Sequence, residues 1–424
     1  MGVTIFATLS WAAIPPHIAS AAVSVAQTYS DGTDDDQDDM CIWVHPDDVS
    51  RSTVIGSDKA NGNLYVYDLD GSVVQTVAAG KPGNIDVRYG FQLGEECVDL
   101  IAFNARDVQQ IHVYTVDPAT RRLTRVDDGT IDTGSNYGFT LYRHTDGRLF
   151  AHTGPKSNSL ITQYELFDDG TGKIAGTATG WQFQAGTIEG MVSDDENGVI
   201  FIGEEAVGIW RLDPFDDSNP VLVRAIGDAS GLAEDVEGLT IYYAAGGDGY
   251  LIASSQGANK YTIVERRPPY APVGEFQVTG VGSTDGIDVL NMNLNETFSQ
   301  GIFTFHNGED CCPVQAVKWA DIVADVGGML TDTDYWDPRQ SNRSCGTTTT
   351  TTLEPPPDCG QPLSGSGRPT ASDALYILQA SVDLHECLGC VCDVDGTGTV
   401  TAGDALITLL ASTNPDIVLN CPAC

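Results

Sequence analysis

A repeat of about 50 residues constrains this chain more than any other feature. Six stretches share one order: "DDMCIWVHPDDVSRSTVIGSDK" from Asp38, "NIDVRYGFQLGEECVDLIAFNAR" from Asn84, "NYGFTLYRHTDGRLFAHTGPK" from Asn136, "IEGMVSDDENGVIFIGEE" from Ile188, "DVEGLTIYYAAGGDGYLIASSQG" from Asp235 and "DGIDVLNMNLNETFSQGIFTFHNGED" from Asp285. Each runs from a polar or acidic start through an apolar run, a turn and a second apolar run to a polar end. In the fourth, D-E-N-G at 195–198 reads as a hairpin turn between apolar segments at 191–192 and 199–202. Asp39, Asp86, Tyr137, Glu189, Glu237 and Asp288 mark equivalent places, with gaps of 47, 51, 52, 48 and 51 residues. That period matches a four-stranded propeller blade. Six such units predict an all-β, six-bladed β-propeller over residues 30–340. The competing β-sandwich carries no such period.

In a blade the innermost strand runs through the ring and the next strand returns beside it. The start of the first and the end of the second therefore share one mouth of the central channel. That mouth is predicted to collect Asp38, Asp39, Asp86, Glu189, Glu237, Asp285 and Asp288 from first-strand starts. From second-strand ends it gathers Asp58, Lys59, Arg106, Lys156, Glu204, Glu205 and the Ser254-Ser255-Gln256 cluster. So many converging carboxylates repel one another unless neutralised. Asp and Glu without clustered His or Cys favour Ca²⁺ over zinc or copper. Lys59, Lys81, Arg88, Arg106 and Lys156 stand among these acids although the chain has only 21 Lys and Arg. Bound cations together with Lys and Arg suit a phosphate-rich ligand. The net charge of −38 argues against nucleic-acid or anionic-membrane partners. A hydrophobic content of 41% argues against an acidic disordered chain.

The segments "DDMCIWVHP", "GNIDVRY", "YGFTLY", "QYEL", "IEGMVSDDENG", "EDVEGLTIYYA", "GYLIASSQG" and "STDGIDVL" resemble, in the same order, those of the β-propeller phytases. The resemblance covers residues 34–340. It implies a calcium-dependent phosphoric monoester hydrolase (3-phytase-like) that removes phosphate from phytate, myo-inositol hexakisphosphate, near neutral to alkaline pH. It implies several Ca²⁺ ions, some bracing the scaffold and others activating a water for direct attack. It also implies neighbouring phosphate sites for cleavage and for affinity. By motif, Lys59, Arg106, Tyr137 and Lys156 bind substrate, and Glu189, Glu204, Glu237 and Tyr137 form the catalytic set. Asp38, Asp39, Glu189, Glu204, Glu237, Asp285 and Asp288 are the expected metal ligands, with Asp86, Arg88 and Lys81 in support. The chain departs from the family pattern where Ala105 separates Asn104 from Arg106, and in "TGPKSNS" around Lys156. His152 and His306 fall near the mouth and read as hydrogen-bonded structural histidines. Two other readings of the propeller are a phosphatase or phosphodiesterase for another phosphorylated substrate and a non-catalytic calcium-binding scaffold or adhesion protein.

Behind the propeller, residues 341–358 turn Thr-rich and then Pro-rich, as in an extended linker. In residues 359–424 "TASDALYILQAS" from Thr370 returns as "TAGDALITLLAS" from Thr401, at a spacing of 31. Before the second copy, Asp393, Asp395, Thr397, Thr399 (by its carbonyl), Thr401 and Asp404 occupy positions 1, 3, 5, 7, 9 and 12 of a calcium loop. The short Asp at position 12 and the duplication resemble a dockerin-like module, which implies a cohesin-like protein partner through the two similar helices. The first copy, "QPLSGSGRPTASD", offers few acids. The Cys-x-x-Cys spacing at 387–390 allows zinc, but 11 cysteines in an exported chain favour disulfides. Residues 1–22 read as an export signal without its basic start, which predicts a secreted, extracellular or periplasmic protein. No later segment is long and apolar enough to span a bilayer, and the propeller is expected to be monomeric.

Overall fold

The structure, a computed structural model, describes residues 22–32, 36–157, 160–309, 313–339, 345, 359–361, 368–381, 387, 389–414 and 417–421. Apart from Ala22 the export segment, and apart from Cys345 the linker expected over 341–358, lie outside these residues. Two compact units are present, Met1–Cys345 and Gly346–Cys424.

The first unit is built of six four-stranded antiparallel sheets. Their innermost strands are Gln37–Trp43, Pro82–Leu93, Gly138–Arg143, Ile188–Asp194, Val236–Tyr243 and Ile287–Leu290. Each touches the next, and the sixth touches the first, so the six sheets close a ring as blades one to six. The hairpin read at 195–198 is present: Asp194 pairs with Val199, and Gly198 takes the left-handed φ of 64° that the turn needs. Apolar side chains fill the spaces between blades, as with Trp43, Tyr65, Tyr67 and Phe103 between the first two. The ring is closed by pairing rather than by covalent bonds. Gln27–Tyr29 supplies the outer strand of the sixth blade by pairing with Val314–Lys318. This strand precedes the expected start at residue 30, because three residues carry no period.

The C-terminal end of this unit is tied across blades. Trp336 stacks on Tyr243 at 3.8 Å, Arg339 pairs with Asp99 at 2.5 Å, and Cys345 is disulfide-bonded to Cys97. The propeller unit thus runs past residue 340, to Cys345.

In the second unit the duplicated sequence makes duplicated structure. Helices α2 (Ala371–Ala380) and α3 (Ala402–Thr413), which follow α1 (Trp319–Val326) of the propeller, each begin with a capping box, Thr370 with Asp373 and Thr401 with Asp404. Disulfides Cys359–Cys421 and Cys387–Cys392 brace the module, so these four cysteines are disulfide-bonded.

Candidate active site

Backbone irregularity at the mouth aims the side chains. Pairing between the first two strands of a blade slips beside Asp38, Gly83-Asn84, Glu189-Gly190 and Glu237-Gly238. A β-bulge at this place turns the residue out of the regular pleat and tightens the local twist. Four of the inner strands have glycine directly after the mouth residue: Tyr137-Gly138, Glu189-Gly190, Glu237-Gly238 and Asp285-Gly286. The reason is contact with the next blade. A Cβ on Gly138 would stand 2.8 Å from the Glu189 carbonyl, and one on Gly238 would stand 2.6 Å from that of Asp285. On Gly190 it would overlap the Glu237 carbonyl, and on Gly286 it would meet the Asp38 carbonyl at 2.7 Å. Gly238 and Gly286 also donate their N–H groups to Asp285 and Asp38 at 3.0 and 2.9 Å. Glycine thus draws the acidic residues of blades four, five, six and one into a tight arc.

Two carboxylate groups result. Glu189, Glu205 and Glu237 bring one oxygen each to within 4.8 Å of one another. Glu237 is only 6% exposed, and among the described residues its Oε2 has no hydrogen-bond partner. Burial first, then Glu189, Asp285 and Glu205, push its carboxyl up to about 11. Beside this trio stand Asp38 and Asp285. Burial and the neighbouring Asp38 push Asp285 up to about 9, while Gln256 donates to its Oδ1 and His306 Nδ1 lies 3.3 Å from its Oδ2. Burial would raise Asp38 as well, but Lys59 and Arg106 outweigh it and hold this carboxyl below its ordinary value.

Cations cross-link the two groups. Lys59 pairs with Asp38 and with Asp36 at 3.4 Å. The Arg106 guanidinium bridges Asp38 at 3.2 Å and Glu189 at 3.1 Å, and lies 4.6 Å from the Tyr137 ring centroid. Lys156 donates to the Tyr137 hydroxyl at 3.0 Å and lies 4.4 Å from the centroid of that ring. Burial and then Glu189 push the Tyr137 phenol far above its ordinary value, so it stays protonated. The intervening Ala105 leaves Arg106 in the site.

Three expected ligands are placed elsewhere. Glu204 sits one residue from the trio, but its carboxylate accepts the Gly186 N–H at 2.7 Å and the Trp210 indole N–H at 2.8 Å. Glu205 takes the place in the trio. Asp39 and Asp288 point into the channel and stitch blades together. Asp39 accepts the Ile85 N–H at 3.0 Å, and Asp288 accepts Ile42 N–H at 2.9 Å and the Thr240 hydroxyl at 3.1 Å. Asp86 does the same toward Leu141 N–H at 2.8 Å, and Arg88 joins it to Asp195 at 2.7 Å. His152 is fully buried against Gln163 at 2.9 Å, as a structural histidine should be.

The mouth therefore pairs a cationic, tyrosine-bearing arc from blades one to three with an anionic arc from blades four to six. The family model described as "Phytase" matches residues 2–343. The chain belongs to the phytase family. A 3-phytase of Bacillus subtilis (strain 168) is 37% identical over 318 residues, covering 70% of this chain and 82% of that phytase. Among solved structures, a gluconolactonase from Xanthomonas campestris aligns at 13% identity and a TM-score of 0.42, over 71% of this chain and 98% of its own. Regucalcin, a calcium-binding protein from Agrobacterium tumefaciens, aligns at 13% identity and 0.42, over 72% and 91%. Likeness at that distance says nothing of activity.

The second unit carries its own acidic loop. Asp393, Asp395 and Asp404 bring oxygens within 4.8 Å of one another, with Asp393 and Asp404 buried. Asp393 accepts the N–H groups of Thr397 and Gly398 at 3.0 and 2.8 Å, and the Thr399 carbonyl faces Thr397 Oγ1 at 3.5 Å.

Proposed function

We propose that this phytase-family chain hydrolyses phosphate monoesters of phytate in a calcium-dependent reaction at the propeller mouth. The observation that carries the reading is the trio Glu189, Glu205 and Glu237 set beside Lys59, Arg106, Tyr137 and Lys156. The donors fit a hard cation: all are carboxylate oxygens, three converge, and one buried oxygen of Glu237 has no hydrogen-bond partner among the described residues. When bound, calcium supplies positive charge to phosphate oxygens and a more acidic water. The protein's own groups do the rest. Lys59, Arg106 and Lys156 offer charge-assisted hydrogen bonds to phosphate oxygens. Tyr137, kept protonated, donates to another. Asp38 holds Lys59 and Arg106 in place. Asp285 faces the same opening and is a further metal ligand in this reading.

Phosphate release from phytate with added calcium, and its loss in excess chelator, tests the proposal. Full release after exhaustive chelation rejects calcium dependence. Release from other phosphate esters but not from phytate favours the phosphatase alternative, and no release from any ester favours the scaffold.

The second unit is proposed as a dockerin-like calcium module with ligands Asp393, Asp395, Thr397, Thr399 and Asp404. Its helices leave equivalent leucines exposed, Leu375 with Leu406 and Leu378 with Leu409, which supports docking to a cohesin-like protein. Three disulfides support an exported protein, secreted or periplasmic. Among the described residues no helix is long and apolar enough to cross a membrane.

A further inference from the structure

We infer that Asn104 is a positioning residue of the reaction: its carboxamide fixes the Tyr137 backbone and the Arg106 guanidinium against each other, so that phenol and guanidinium meet a phosphate as one preset unit. This rests on the proposed phytate hydrolysis. Asn104 lies near the end of the second blade's second strand, Glu96–Ala105, two residues before Arg106. Two other blades have a polar residue at the same place. Ser57 stands two residues before Lys59 and donates its hydroxyl to the Gly83 carbonyl at 2.6 Å. Ser254 stands two residues before Gln256 and donates to the Thr284 carbonyl at 2.8 Å. Asn104 donates its NH₂ to the Tyr137 carbonyl at 2.6 Å. All three side chains are fully buried, and each acceptor belongs to the start of the following blade. The position is thus a clip that ties the second-strand end of one blade to the entry of the next.

In blade two the clip is a carboxamide, and its oxygen faces the site. Among the described residues Asn104 Oδ1 and Arg106 Nε are both buried without a hydrogen-bond partner. They face the same point. Each lies 2.5 Å from where a Gly83 Cβ would stand, so glycine there leaves the space between them clear. The same guanidinium reaches Asp38 and Glu189 through Nη2 and lies over the ring of Tyr137, whose backbone Asn104 holds. The Arg106 backbone is fixed as well, since its N–H donates to the Lys81 carbonyl at 2.9 Å. Leaving a carboxamide oxygen unpaired in the interior costs stability, and serine clips blades one and five without that cost. A carboxamide at 104 is therefore explained by what its oxygen faces, the Nε–H that orients the guanidinium, and not by the clip alone. Arg106 and Tyr137 both offer hydrogen bonds to phosphate in the proposed reaction, and small errors in the placement of such groups are amplified in rate.

The test is a double-mutant cycle in the full-length protein with calcium, reading kcat and KM on phytate beside thermal melts. Asn104→Ala should lower kcat about tenfold or more, with a smaller change in KM, the scale of misplaced groups in a site. Asn104→Ser, which keeps a donor for the Tyr137 carbonyl, should recover part of that loss. In an Arg106→Lys background, which has no Nε, the further loss on Asn104→Ala should shrink to about threefold or less, because residues that act as one unit are not additive. Equal losses in the two backgrounds, or a folded Asn104→Ala protein with wild-type kcat, overturn the inference while leaving phytate hydrolysis intact. If Asn104→Ala does not fold, Asn104→Ser carries the same cycle under the same criterion. A wild-type protein that releases no phosphate from phytate rejects the functional reading, and the role of Asn104 with it.

Discussion

Adjacent glutamates meet opposite fates at the end of the fourth blade's second strand. Glu204 is consumed by Gly186 and Trp210, whereas Glu205 joins Glu189 and Glu237. Glu205→Gln, Glu189→Gln or Glu237→Gln should each lower kcat on phytate about 10²-fold or more, the scale of losing electrostatic stabilisation in a site. Glu204→Gln should spare most of kcat but lower stability by about 1–3 kcal/mol, because an amide NH₂ would face a donor. Turnover assays paired with thermal melts separate the two, and equal kinetic losses at 204 and 205 would refute the assignment. A second residue sets a pH dependence. Burial pushes His152 down to about 3 from 6.5, so the folded protein binds that proton much less readily than the unfolded chain. Its contribution is complete above pH 6.5 and is lost as pH falls toward 3, at up to about 1.4 kcal/mol per pH unit. His152→Gln should flatten that acid limb of a melting-temperature profile. A limb as steep as wild type would assign the acid loss to the mouth carboxylates instead.

At the scale of the element, the working unit is a bulged strand start followed by glycine. Alternation along Ile188–Asp194 is broken beside Glu189-Gly190, and Gly190 lies against the Glu237 carbonyl of the next blade. Gly190→Ala puts a methyl group against backbone, which cannot swing away as a side chain can. It should cost about 1–3 kcal/mol by overpacking and spread the two inner strands that carry Glu189 and Glu237. The expected readout is a lower melting temperature together with a higher half-saturating calcium concentration for activity. A melting shift with unchanged calcium dependence would mean that the glycine serves packing alone.

Across the whole molecule, each unit holds its own buried core: that of the module is formed by residues such as Ile377, Val391, Cys392 and Val394. A chain ending at Cys345 should therefore fold and hydrolyse phytate much as the full chain does. Ending at Asp337 instead removes both the Arg339–Asp99 pair and the Cys97–Cys345 disulfide. Loss of that cross-link should cost about 2–4 kcal/mol. Thermal melts of the two truncated chains decide the matter, and equal stability would show that the tie across blades contributes nothing. Chelation should lower the melting temperature of either chain further, since ions that bind only the folded state stabilise it by linkage.

Blade number, the polarity of the mouth and the duplicated helices were legible in the sequence, because each depends on spacing along one chain segment. Periods of about 50 and 31 residues survive without knowledge of neighbours. The Glu-Gly and Asp-Gly pairs were also in plain view, and they were the available signal for close approach between blades. What only the tertiary structure decided depends on partners far away in sequence. Whether Glu204 or Glu205 joins Glu189 and Glu237 depends on the bulge and on which donors, Gly186 and Trp210, stand nearby. Whether Asp39 and Asp288 bind ions or clip blades depends on N–H groups of adjacent blades, one of them 246 residues away. Closure by Gln27–Tyr29 and the bond from Cys97 to Cys345 likewise join distant segments, which become neighbours only once six locally encoded sheets have closed into a ring.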